Sequence, residues 1–121
     1  MRKREVTIFS SVERTATPTA VVLPTGDAPA LYLIVEVTDV GASTPSVVFT
    51  VDLIDATSGT FVNLLTSAAV TTVSSNIYKI SPALETVANL IARQHVPRDV
   101  RISATHADAD EITYSVAAHL I

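Results

Sequence analysis

The residues best equipped for chemistry lie together near the end of the chain. His106-Ala107-Asp108-Ala109-Asp110-Glu111 puts one histidine and three carboxylates into six consecutive positions. Two chemistries need such a set. A calcium ion takes several oxygen ligands from one loop, and a carboxylate near an imidazole can move protons. Asp108 and Asp110 have the i, i+2 spacing of part of a calcium loop. The glycine and later glutamate that complete an EF-hand pattern do not stand at the required offsets. Asp is also a favoured turn residue, because its carboxylate accepts from nearby backbone N–H groups. Two strongly alternating segments flank the hexapeptide, so it must reverse the chain. It reads as a polar turn with no metal assigned, and an ion at Asp108 and Asp110 is the competing reading.

No second constellation supports catalysis. His95, His106 and His119 share no local motif. A Ser-His-Asp set can be assembled from distant positions, but there is no nucleophile elbow and no phosphate loop. Three glycines in 121 residues leave few places for a backbone-lined anion cradle. The chain has no cysteine, which removes disulfides, zinc–thiolate sites and thiol nucleophiles. The expectation is a protein that is not an enzyme, with no catalytic residue and no cofactor. Tyr32, Tyr78 and Tyr114 are dispersed and tryptophan is absent. That weakens both a sugar-stacking platform and base stacking on single-stranded nucleic acid.

The cations point to proteins as partners. Arg2, Lys3 and Arg4 supply +3 to a chain of net charge −4, so the remainder carries −7. An acidic body does not suit a phosphate backbone, and no nucleic-acid partner is expected. Residues 1 to about 5 read as a basic arm that docks on an acidic protein surface, or as a solvated terminus. Arg98 and Arg101 fall in "VPRDVRIS". A guanidinium can pair bidentately with a partner's carboxylate. Arg101 lies on the outward face of its segment, where an ion pair with a neighbouring strand is slightly favoured. Arg2, Lys3, Arg4, Arg98 and Arg101 are the candidate interface residues.

The elements that must carry these side chains are strands. One domain is expected over 1–121. Hydrophobic residues make up 48% of the chain but aromatics only 5%, and the abundant valine and threonine favour strands. "LYLIVEVTDV" (31–40) alternates Leu31, Leu33, Val35 and Val37 against Tyr32, Ile34, Glu36 and Thr38. "SVVFTVDLID" (46–55) repeats the pattern, and the turn-like "GASTP" between the two predicts a hairpin-like pair. Segments 5–12, 19–23, 61–65 and 76–80 are shorter candidates. "RDVRISATH" (98–106) and "EITYSVAAHLI" (111–121) alternate most cleanly, with Val100, Ile102, Ala104, Ile112, Tyr114, Val116, Ala118 and Leu120 inward.

Only 81–97 is ambiguous. Ser81-Pro82 is a good helix start, and Leu84, Val87 and Ile91 keep helical spacing. A short helix near 82–92 and a loop with one strand are both open. Turns every eight to twelve residues and no βαβ unit predict an all-β chain, an antiparallel β-sandwich or jelly roll. Glu5, Glu13 and Ser10-Ser11 interrupt any apolar signal region. No apolar run reaches the roughly 18 residues of a membrane span, so the chain is expected to be made in the cytoplasm. Both faces of 31–40 are rather apolar, as are "AVVL" and "NLLTSAAV". That excess predicts surface buried against other subunits.

The C-terminal third, "LIARQHVPRDVRISATHADADEITYSVAAHLI", resembles the ending of small virion proteins encoded beside the major capsid protein of tailed bacteriophages. The likeness lies in a Pro-Arg-x-x-Arg strand, an Asp/Ala-rich turn and an "ITYSV" final strand. "LYLIVEVTDVGASTPSVVFTVDLID" resembles the paired strands of the same group. The resemblance covers over half the chain through degenerate motifs. It implies a capsid decoration, or cement, protein on the outer lattice of the virion. The implied partners are the major capsid protein and further copies of this chain, as dimer or trimer. A tail or head–tail completion component and a small ligand- or glycan-binding module are the alternatives. No functional residue is carried over.

Overall fold

The computed structural model describes residues 3–41 and 43–121, so Arg2 of the basic cluster lies outside the described residues. The described chain forms nine strands: β1 (Arg4–Arg14), β2 (Val21–Pro24), β3 (Leu31–Val40), β4 (Val47–Ile54), β5 (Phe61–Thr66), β6 (Ser74–Ile80), β7 (Ile91–Ala92), β8 (Asp99–His106) and β9 (Ile112–Leu120). A five-stranded sheet has the order β1-β9-β3-β6-β7, and a four-stranded sheet the order β2-β8-β4-β5. All pairs are antiparallel except β6 with β7. The all-β sandwich expected from the alternation is the fold found. Among the described residues no helix is long and apolar enough to cross a membrane.

The core follows the period of two. Side chains alternate faces along a strand, and every second residue of β3 from Leu31 to Val37 is buried. On β8 and β9 all eight residues expected inward are buried. They meet Val47, Phe49 and Val51 of β4 between the two sheets. Tyr114 and Phe49 sit at the centre, edge to face at 5.3 Å between ring centroids, a geometry the ring quadrupoles favour.

Two expectations are corrected. β3 and β4 are not a hairpin, because they belong to different sheets. The connection after Gly41 carries the chain across the sandwich, and β4 instead makes its hairpin with β5. Asp55 shapes that turn by accepting from the Thr57 N–H at 3.1 Å and the Ser58 hydroxyl at 2.6 Å. Those bonds also hold its carboxyl below the ordinary range. Only the β4–β5 and β6–β7 connections stay within one sheet.

The helix near 82–92 does not form. Ser81 Oγ accepts from the Ala83 N–H at 3.2 Å, as a cap would, but the chain only turns. Val87 and Ile91, spaced for a helix face, are instead partners in an antiparallel bridge. Asn89 at the tip adopts φ +64°, a left-handed conformation that asparagine tolerates. Ile91 and Ala92 then add β7 to the edge of β6. A helix of about ten residues is marginal without packing, and the β-branched Thr86, Val87 and Ile91 weaken it further. The edge of β6 supplies backbone partners instead, as in the Leu90 carbonyl that accepts from the Lys79 N–H at 2.9 Å.

Candidate interaction surfaces

The terminal basic cluster is partly drawn into the sheet. β1 begins at Arg4, so of the arm expected over about 1–5, residues 4 and 5 pair with Leu120 and His119 of β9. Lys3 is exposed. Arg4 donates from its guanidinium to the Pro24 carbonyl at 2.8 Å, which ties β1 to the edge strand of the other sheet. Arg98 is exposed beside Thr25, whose backbone N–H donates to the Arg98 carbonyl at 2.9 Å. Pro24 pairs with Asp99, so the structure places Arg4 and Arg98 at one end of the sandwich.

Arg101 lies elsewhere, on the outward face of the four-stranded sheet. Its guanidinium donates to Asp52 of β4 at 2.9 Å and lies 3.4 Å from the centroid of the Phe61 ring. Asn63 donates to the other Asp52 oxygen at 3.2 Å. This is the cross-strand ion pair that the alternation favoured. It also explains why Asp52, although outward, is only 6% exposed. Arg101 is therefore committed inside its own domain, and its Nε is buried without a partner.

The hexapeptide is a crossover. β8 ends in one sheet and β9 begins in the other. Asp108 accepts from the Asp110 N–H at 3.1 Å, the local bond that makes Asp a turn residue. The loop is tied to the other crossover at this end, since Gly41 donates to the Glu111 carbonyl at 2.8 Å and Ala107 donates to Ser46 at 3.0 Å. The approach is close: a Cβ at Gly41 would stand 3.2 Å from Glu111 Cβ. Among the described residues no group of three or more His, Asp or Glu side chains is arranged to hold a metal ion.

His106 faces inward from this loop. Its Nε2 shares a hydrogen bond of 2.9 Å with the Tyr114 hydroxyl, and its backbone N–H donates to Thr17 Oγ1 at 2.9 Å. Burial, then the nearby Arg14 charge, lowers the imidazole pKa below its ordinary 6.5, against a smaller opposing pull from Asp108. Burial pushes the Tyr114 phenol up to about 12, so it stays protonated.

Arg14 is the residue that sequence reasoning missed. It donates to the carbonyls of Tyr114 at 2.9 Å, Ser10 at 2.8 Å and Val12 at 3.2 Å. Its guanidinium also lies 4.7 Å over the Tyr114 ring. No spacing rule marks a lone arginine at a strand end. The tyrosines form no platform, since Tyr78 and Tyr114 are 4% and 0% exposed.

No protein-family profile matches this chain, and no curated protein sequence matches it either. Among solved structures it is similar to a chain of the disulfide-linked pili of Bacillus endospore appendages. That likeness has 18% identity and a TM-score of 0.45, and covers 98% of this chain and 88% of the other. It is also similar to chains in structures of infectious bursal disease virus. The Gx strain gives 11% identity and a TM-score of 0.47 over 98% of this chain, and the Gt strain 14% and 0.44. This chain spans about a third of the length of each viral chain. At TM-scores below 0.5 these likenesses carry no argument about role.

Proposed function

We propose that this domain is a structural component of a tailed-bacteriophage virion, and specifically a capsid decoration protein that associates with copies of itself. The observation that carries the reading is the run of motifs in residues 31–55 and 90–121 that resembles such proteins. The fold is compatible with it: these segments supply β3, β4, β8 and β9, the inner strands of the two sheets, and the short edge strand β7. The surface is compatible too. Val22 and Phe61 on one sheet and Ile77 on the other are 55%, 46% and 49% exposed, as surfaces that pack on neighbours tend to be.

A decoration protein works by mass action. Binding the assembled lattice and not the free capsid protein stabilises the assembled state. The purified domain is therefore expected to co-sediment with expanded shells stripped of their own decoration, and not with unassembled capsid protein. The exposed Lys3, together with Arg2 and Arg4, is assigned to an acidic patch on the capsid protein or on a neighbouring copy. Deleting residues 1–4 should weaken shell occupancy, and unchanged occupancy would remove that assignment. Binding to free capsid protein as tightly as to shells contradicts the mechanism.

A further inference from the structure

The outward face of the five-stranded sheet has a pattern that fits itself. In one row across the strands stand Glu5, His119, Tyr32 and Lys79, each opposite the next in register. In the adjacent row stand Thr7, Ala117, Ile34 and Ile77. Each row is asymmetric in a complementary way. The first has an acid on β1 and a base on β6. The second has small side chains on β1 and β9, and large apolar ones on β3 and β6.

We infer that this face is a homodimer interface, with the two-fold axis lying along the strands between β9 and β3. Such a rotation keeps each row at its own height and exchanges left for right. Glu5 then meets Lys79 of the second copy, twice. Ala117 meets the second copy's Ile34, and Thr7 its Ile77, so small packs against large. An axis across the strands would instead stack β1 on β1 and leave like charges at equal lateral positions, so the charge pattern selects the first. Among the described residues the basic group within ion-pair range of Glu5 is His119, at 3.8 Å. Among the described residues Lys79 has no carboxylate in ion-pair range, and its ammonium lies 5.1 Å over the Tyr32 ring.

The four strands that overlap about this axis, β1, β9, β3 and β6, at roughly 4.8 Å spacing and about 25 Å of strand length, present roughly 480 Å² per copy, or about 960 Å² in all. That is below the standard size of a stable interface and in the range of weak, transient ones, so the dimer is expected to dissociate on dilution.

The inference rests on the self-association proposed above, and the experiment separates the two. Analytical ultracentrifugation of the full chain should show a concentration-dependent dimer. Ile77→Arg alters a half-exposed side chain, so the fold should persist by circular dichroism while the dimer is lost up to roughly 100 µM. Glu5→Lys and Lys79→Glu should each weaken dimerisation by roughly tenfold, because each creates two like-charge contacts. The double variant Glu5→Lys/Lys79→Glu should restore it to within about threefold of the original. An oligomer that survives Ile77→Arg, or a double variant no better than the singles, overturns this face but leaves self-association standing. A wild-type chain that stays monomeric overturns both.

Discussion

At the scale of single residues, the chemistry suggested by the hexapeptide resolves into structure. Asp108 spends its carboxylate on the Asp110 N–H, and His106 spends its ring on Tyr114. Replacing Asp108 and Asp110 with Asn keeps the turn bond and should leave the melting temperature unchanged with or without calcium. A calcium-dependent rise in the parent protein that the variant lacks would restore an ion site. His106 makes a second prediction. Its folded pKa lies below its ordinary 6.5, so the unfolded chain takes up the proton first. The stability contributed by the neutral ring is full above about 6.5 and drains as pH falls through the folded value. Thermal melts between about pH 7.5 and 5 should therefore fall more steeply for the parent than for His106→Gln. Parallel curves for the two would assign the acid sensitivity elsewhere.

At the scale of elements, alternation was legible and neighbourhood was not. A period of two states which side chains of a strand face the core, and for β3, β8 and β9 it placed every inward residue correctly. It does not state which strand lies beside which. A six-residue connection can close a hairpin or cross a sandwich ten ångströms thick, so the turn signal at 41–46 carried no information on sheet membership. The helix reading failed for a related reason. Val87 and Ile91 are four apart, a spacing shared by one helix turn and by a bridge closed over three residues. Tertiary pairing with β6 decided between them, and only the asparagine at the tip hinted at the outcome. Asn89→Gly keeps φ +64° without strain and loses only the exposed bond that Asn89 Nδ2 donates to the Thr66 carbonyl at 3.0 Å, so it should cost less than about 1 kcal/mol. Asn89→Val adds the strain of a β-branched residue at positive φ and should cost about 1–2 kcal/mol more. Chemical denaturation of both variants reads this directly, and equal stability would argue against the bridge. The candidate cations divide in the same way. Alternation made the outward position of Arg101 and its pairing with a neighbouring strand legible, while the role of Arg14 depends on three carbonyls and a ring brought together by folding.

At the scale of the whole molecule, the sandwich is proposed to act through its surfaces. The core is filled by aliphatic side chains from both sheets and by the rings of Phe9, Phe49, Tyr78 and Tyr114. The polar clusters are internal ties between strands or loops, while Val22, Phe61 and Ile77 stand exposed on the outward sheet faces. The most direct measurement is a low-resolution electron-microscopy reconstruction of expanded tailed-phage shells incubated with the purified domain. Discrete density is expected on the outer capsid surface at repeated lattice positions, absent from untreated shells. Bare shells at saturating protein, or density confined to the tail or the portal vertex, would contradict it.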